Sequence, residues 1–219
     1  MSVFAINSLS NANDPARPIM APSWMEKFIT RGEPPIPDPL RASSQPTLSL
    51  NYSAVAEHRR ILCAPGEHTS RYVVTRKSIM GAWGSKCSVT VPINSDQEIA
   101  LIDFHAFHYD IKFPLRDHHI DISTAKRRFD ASGGLGELHW KATGMQIAGA
   151  ASWELRDETS LVMVVEIDQT QTNGRISVWR EKLDGQTMEE LVVVGIAQIE
   201  EYKRMLRQSK TSAVGVILN

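Results

Sequence analysis

Imidazoles and carboxylates are concentrated in one stretch of the chain. Asp103-Phe104-His105-Ala106-Phe107-His108-Tyr109-Asp110 is followed closely by Asp117-His118-His119-Ile120-Asp121. These residue types ligate zinc and other divalent metals, and a metal-dependent enzyme is one chemistry they could serve. Their spacing argues against it. His105 and His108 lie three apart, so on a strand they face opposite ways and only a turn between them brings them together. The neighbours His118 and His119 diverge for the same reason. The expectation is therefore polar faces and turn residues of successive strands, with neither metal nor cofactor.

Other reactive types carry less. Cys63 and Cys87 are flanked by strand-like residues and stand in no nucleophile motif, so small buried side chains are expected. Gly133-Gly134-Leu135-Gly136 lacks the spacing of a phosphate loop and reads as a turn. No G-x-S-x-G elbow is present. The expectation is a protein without enzymatic activity. Cations recur in three groups, Arg59-Arg60, Arg76-Lys77 and Lys126-Arg127-Arg128, which are the candidate contacts to an anionic ligand. At an anionic membrane each such charge is worth about 1 kcal/mol. Lys and Arg number 24 against 25 Asp and Glu, a net charge of -1, which removes the usual electrostatic case for nucleic acid.

The elements that must position these residues follow from texture. Residues 1–46 are punctuated by Pro15, Pro18, Pro22, Pro34, Pro35, Pro37, Pro39 and Pro46, and read as an extended, mostly disordered arm. Within it Ser23-Trp24-Met25-Glu26-Lys27-Phe28 could form a turn presenting Trp24 and Phe28 to a partner. From Thr47 onward, short segments rich in Val, Ile, Thr, Trp and Tyr alternate with Gly, Asn, Asp and Pro. Strands are expected at 48–53, 60–63, 71–76, 87–93, 98–104, 109–113, 119–129, 137–143, 151–156, 161–168 and 175–180. Asn173-Gly174 is the strongest hairpin signal, since both residues tolerate the positive φ of a type I′ turn. Trp83, Trp140, Trp153 and Trp179 are expected to line the core.

The last element breaks the strand rhythm. Thr187-Met188-Glu189-Glu190 has the form of a capping box, and Lys203, Arg204, Arg207 and Lys210 follow at the other end, as a helix dipole prefers. Between them, Leu191-Val192-Val193-Val194-Gly195-Ile196-Ala197 is apolar on every side, so the first half of a helix over about 187–208 must be buried all round. It is shorter than the roughly 20 apolar residues that span a bilayer, and its natural place is inside a curled sheet. Gly195 would let a strand approach closely. Residues 211–219 read as a tail.

Such a chain resembles the tubby C-terminal-like group, which includes the tubby, LURP-one-related and scramblase domains. It is most similar to an uncharacterised fungal family of that group. Arg71-Tyr72-Val73-Val74-Thr75, Glu98–His105 and Gly136-Glu137-Leu138-His139-Trp140-Lys141 carry the resemblance. Phe104 stands where that family shows Trp, and Leu138-His139 where it shows aromatic residues. The resemblance spans roughly residues 47–210. It implies a mainly β fold, an antiparallel barrel of about ten to twelve short strands around the C-terminal hydrophobic helix. Members of the group bind phosphoinositides or move lipids.

The functional expectation is a non-enzymatic domain binding anionic lipid such as a phosphoinositide, or a protein partner, through Arg59, Arg60, Arg76, Lys77, Lys126, Arg127 and Arg128. Alternatives are a protein-interaction module using the arm, or a metal-dependent enzyme using His105, His108, His118 and His119. Two cysteines and an N-terminus without a basic, apolar leader point to the cytoplasm. A monomer without a transmembrane segment is expected.

Overall fold

The computed structural model describes residues 36–79, 82–94, 96–145 and 149–217. The Trp24/Phe28 segment lies outside the described residues. Twelve strands form one antiparallel sheet in the order β7-β6-β5-β4-β3-β2-β1-β12-β11-β10-β9-β8. They are β1 (Leu48–Ala56), β2 (Arg59–Cys63), β3 (Tyr72–Ile79), β4 (Ala82–Val91), β5 (Gln97–Phe104) and β6 (His108–Phe113). After these come β7 (His118–Ser123), β8 (Arg128–Ala131), β9 (Gly136–Met145), β10 (Ala151–Arg156), β11 (Leu161–Ile167) and β12 (Asn173–Val178). Every neighbour in the sheet is also a neighbour in sequence except the β1–β12 pair. The two edges, β7 and β8, lie against each other without ladder bonds, so the sheet rolls into a nearly closed barrel.

Eight strands close on a bore that their own side chains fill, whereas twelve leave a wider one. The C-terminal helix fills it. An α-helix with its side chains measures about 10–12 Å across, a match for such a bore. Leu191, Val192, Val193, Val194, Ile196, Ala197 and Ile199 are all fully buried, as their all-round apolar character requires. Gly195 sits where an added Cβ would lie 3.1 Å from Ile176 and 3.3 Å from Val165, so the helix and the β11–β12 hairpin approach closely there. Trp153, wholly buried, meets Tyr202 of the helix edge-on at 5.0 Å between ring centroids. Trp140 is also in the core, and Trp179 is half-buried.

Local chemistry departs from the sequence reading at four places. First, the helix runs Gly185–Ile217, so it takes in most of the stretch read as a tail. No proline interrupts 209–217. Second, its N-cap is Asp184, whose carboxylate accepts from the Thr187 amide at 2.8 Å and from the Thr187 hydroxyl at 2.9 Å. Thr187 is thus inside the first turn, and Glu190 is free to accept from the Ser132 amide at 2.9 Å instead of closing a capping box. Third, Asn173-Gly174 lies in β12, not in the turn. The β11–β12 connection is 168–172, organised by the Asp168 carboxylate, which accepts from the Thr172 and Asn173 amides, with Gln171 at φ 60°. Gly174 is needed for another reason: a Cβ there would stand 2.5 Å from the Glu166 carbonyl. Fourth, the segment expected as one strand over 119–129 is two, β7 and β8, parted at Arg127 with φ 55°.

The end of the Pro-rich arm is not free. A short helix α1 (Leu40–Ser43) lies against β9–β11. The Asp38 amide donates to Glu154 at 2.8 Å, and the Arg41 guanidinium reaches Thr143, Ser152, Glu154 and Glu166. This cover explains how Glu154, on the outer side of β10, is fully buried. The C-terminal helix is α2 below.

Candidate functional site

An up-and-down barrel has two ends, and strand order assigns each turn to one of them. The turns 57–58, 105–107, 124–127 and 168–172 fall at the end where α2 exits, and the turns at 64–71, 114–117, 132–135 and 157–160 fall at the end where it enters. Contacts from the helix agree. Arg116 reaches the Gln186 carbonyl and Glu189 at the entry end, whereas Arg204 donates to the His105 carbonyl at 2.9 Å and Tyr202 to the Gly149 carbonyl at 3.0 Å at the exit end.

All seven candidate cations lie toward the exit end. Arg59 and Arg60 open β2, Arg76 and Lys77 approach the close of β3, and Lys126, Arg127 and Arg128 form the β7–β8 turn. On β2 and β3 they are parted by the alternation of strand side chains. Arg59, Lys77, Lys126 and Arg128 are exposed, with Lys77 paired to Glu98 at 3.1 Å and Arg128 to Glu137 at 2.8 Å. Arg60 and Arg76 point inward and are each 6% exposed. They share the parity of the buried Leu62 and Val74, a signal already present in the alternation. A direct surface contact by these two is therefore excluded. Arg127 is half-buried toward Tyr109 and Glu201, and burial pulls its pKa down.

The inward pair meets the second half of α2. Glu200, fully enclosed, accepts from the Tyr52 hydroxyl and from Arg76 Nε at 2.8 Å, with Arg60 Nε at 3.8 Å and Lys203 Nζ at 4.0 Å. Burial alone would raise the Glu200 carboxyl. The charges of Arg76 and Lys203 and the hydrogen bonds outweigh it and hold the carboxyl below its usual range. For two cations of the helix burial wins instead. Burial brings Lys203 down to about 8, and burial together with the Arg76 charge brings Arg207 down to about 10. Arg60 Nε and Arg76 Nη1 have no hydrogen-bond partner among the described residues. Glu200, Lys203 and Arg207 recur at i, i+3 and i+7, one face of a helix whose first half had to be buried. Sequence reasoning missed this interior network, although that spacing inside an enclosed helix was the sign of it.

Cys87 borders the same network. Burial and the Glu200 charge push its thiol up to about 12, so it is unsuited to nucleophilic attack. Cys63 is half-buried. We expect a thiol reagent at pH 8 to label the native protein at Cys63 alone and Cys87 only after unfolding. Rapid labelling at both sites would show that the interior is open.

The histidines divide between the ends. His118 faces inward at the entry end, 3.1 Å from Glu190 and stacked on Phe113 at 5.6 Å, while His119 is exposed on the outer face. They are not brought to His105 and His108, so a centre using all four is excluded. His105 and His108 do meet. Residues 105–107 form a tight turn in the gap between the strands expected at 98–104 and 109–113, with the His105 amide donating to the His108 carbonyl at 2.9 Å. The rings stack at 4.5 Å and 21°. His105 Nε2 lies 3.1 Å from Asp110 Oδ2, and His108 Nε2 lies 3.8 Å from Asp121 Oδ2. Partial burial and a hydrogen bond with Asp110 raise the Asp121 carboxyl above its usual range.

Two large apolar side chains stand out beside these groups. Phe107, at the tip of its turn, is 79% exposed and Val55, near the end of β1, is 52% exposed. Fold and site together define a class: a helix-filled, nearly closed antiparallel β-barrel whose exit end carries the seven candidate cations, His105 and His108, and the exposed Phe107 and Val55. No helix among the described residues is long and apolar enough to cross a membrane. The chain matches no protein-family profile and no curated protein. Among solved structures it is similar to an X-ray structure of a protein from Arabidopsis thaliana, at 10% identity and a TM-score of 0.40, covering 69% of this chain and 92% of that one.

Proposed function

We propose that this chain is a non-enzymatic recognition domain of the tubby C-terminal-like kind, which binds the anionic surface of a membrane with the exit end of its barrel. The observation that carries the reading is that cations from three separate sequence groups converge on one end. Arg59, Lys126 and Arg128 supply exposed charge there, and Phe107 and Val55 supply apolar tips. Exposed apolar tips ringed by basic residues suit a surface that offers both anionic headgroups and acyl chains. Behind them the Arg60, Arg76, Lys203 and Arg207 cluster, with Glu200 between, biases the potential of that end toward positive.

Charge reversal tests this directly. With vesicles of phosphatidylcholine containing phosphatidylserine or a phosphoinositide, we expect Lys126→Glu combined with Arg128→Glu to lower the bound fraction at least about fivefold. Phe107→Ala should lower it further without changing the salt dependence. Unchanged binding in the double variant, at an unchanged melting temperature, would place the lipid contact elsewhere.

A further inference from the structure

We infer that His105, His108 and Asp110, with Asp121 completing the set, form a binding site for a zinc-like divalent metal ion at the β5–β6 turn. One ligand atom from each of His105, His108 and Asp110 lies within 4.8 Å of the others. Zinc takes imidazole nitrogen and carboxylate oxygen at about 2.0–2.2 Å, which places tetrahedral ligands about 3.3 Å apart. The separations of 3.1 Å between His105 and Asp110 and 3.8 Å between His108 and Asp121 are close to that value. Small side-chain rotations close the rest, since all four residues are half-exposed or exposed. Two imidazoles with two carboxylates suit zinc, cobalt or nickel better than calcium or magnesium, which prefer all-oxygen shells.

The backbone that carries these ligands is held in place. The Phe107 carbonyl accepts from the Thr124 amide at 2.9 Å and from its hydroxyl at 2.8 Å, and Arg204 of α2 holds the His105 carbonyl. The two rings are therefore stacked before any ion arrives, which reduces the ordering a ligand must impose. Charge supplies an independent argument. Asp103, Asp110 and Asp121 stand directly opposite one another on β5, β6 and β7. Like charges in cross-strand register are destabilising. Lys86 neutralises Asp103 at 2.7 Å, whereas Asp110 and Asp121 face the two histidines. A dication between them would relieve the remaining repulsion and tie the turn to β7.

The test uses the full chain, stripped with chelator, and does not involve lipid, so it stands or falls apart from the membrane reading. Cobalt(II) is titrated while its visible absorption is followed, and zinc is then added in competition and measured by calorimetry. We expect one ion per chain, a tetrahedral cobalt spectrum that zinc abolishes, and at least a ~10-fold loss of zinc affinity in His105→Ala and in His108→Ala. Asp110→Asn, which keeps the side-chain shape, should weaken binding in the same way. His119→Ala should bind as the parent does. Absence of a tetrahedral cobalt spectrum, or zinc affinity unchanged in both His105→Ala and His108→Ala, would overturn the assignment.

Discussion

Val193→Asp should leave the domain largely unfolded at room temperature. Val193 lies at the centre of the apolar half of α2, fully buried, with Val192 and Val194 equally enclosed. A carboxylate there has no cation of its own helix to pair with, because the first of these, Lys203, stands ten residues further on. Burying an unpaired charge either forces the carboxyl to protonate or admits water. Each route costs several kcal/mol against a total stability of about 5–15 kcal/mol. We expect a loss of at least about 4 kcal/mol, read by urea denaturation followed by circular dichroism. Val193→Ile, which keeps the site apolar and adds one methylene, should cost only about 1–3 kcal/mol. Parent-like melting of Val193→Asp would mean that the helix does not fill the barrel.

Glu200→Leu is the second large effect, and its cause is the opposite one. Here the deleted group is the charge that makes its neighbours tolerable. Arg60, Arg76 and Lys203 would remain enclosed without the carboxylate that each of them faces. Removing one partner from a buried ionic set costs about 3–5 kcal/mol, more than the intact set contributes against an apolar alternative. Adding Arg76→Met to Glu200→Leu should therefore recover part of the loss, a coupling that a double-mutant cycle measures. pH supplies a second readout. The folded Glu200 carboxyl lies below the unfolded value of 4.5, so its contribution is present above that value and is lost as pH falls through the folded pKa. The acid limb of the stability curve should be shallower in Glu200→Gln than in the parent. Identical acid limbs would remove Glu200 from the account.

These two residues also mark how far the sequence could be read. Val193 belongs to a run with no polar side, and that alone requires complete enclosure and hence a curled sheet. The strands were legible for a related reason: alternation such as Ile120-Asp121-Ile122 fits a sheet with one wet face and one dry face. Glu200 was harder. A carboxylate gives no sign of burial by its type, and only its partners on β1, β2 and β3 make burial tolerable. Those partners are distant in sequence, and their inward parity matters only once the helix is placed inside the barrel.

Turns were the least legible level. Asn173-Gly174 had the right residues for a hairpin, yet Asp168 competes for the connection by capping several amides at once, and Gly174 is required by the close Glu166 carbonyl. The same limit hid the His105–His108 pair. Strand parity sends those rings to opposite faces, and the tight turn that reverses this is held by Thr124 and Arg204, from distant parts of the chain. Adjacent arginines posed the converse problem. Arg59-Arg60 looked like one basic patch, but alternation places one side chain in solvent and the other in the core.

The most direct test of the membrane reading is sedimentation of the full chain with phosphatidylserine and phosphoinositide vesicles at about 50 mM and 300 mM salt, with phosphatidylcholine vesicles for reference. Exposed cations acting through a Debye length that shortens from about 14 Å to about 6 Å between these salts should bind anionic vesicles at low salt and lose several-fold at high salt, with neutral vesicles bound weakly at both. Equal partition into neutral and anionic vesicles, or no binding to either at low salt, would contradict the assignment of the exit end to an anionic membrane.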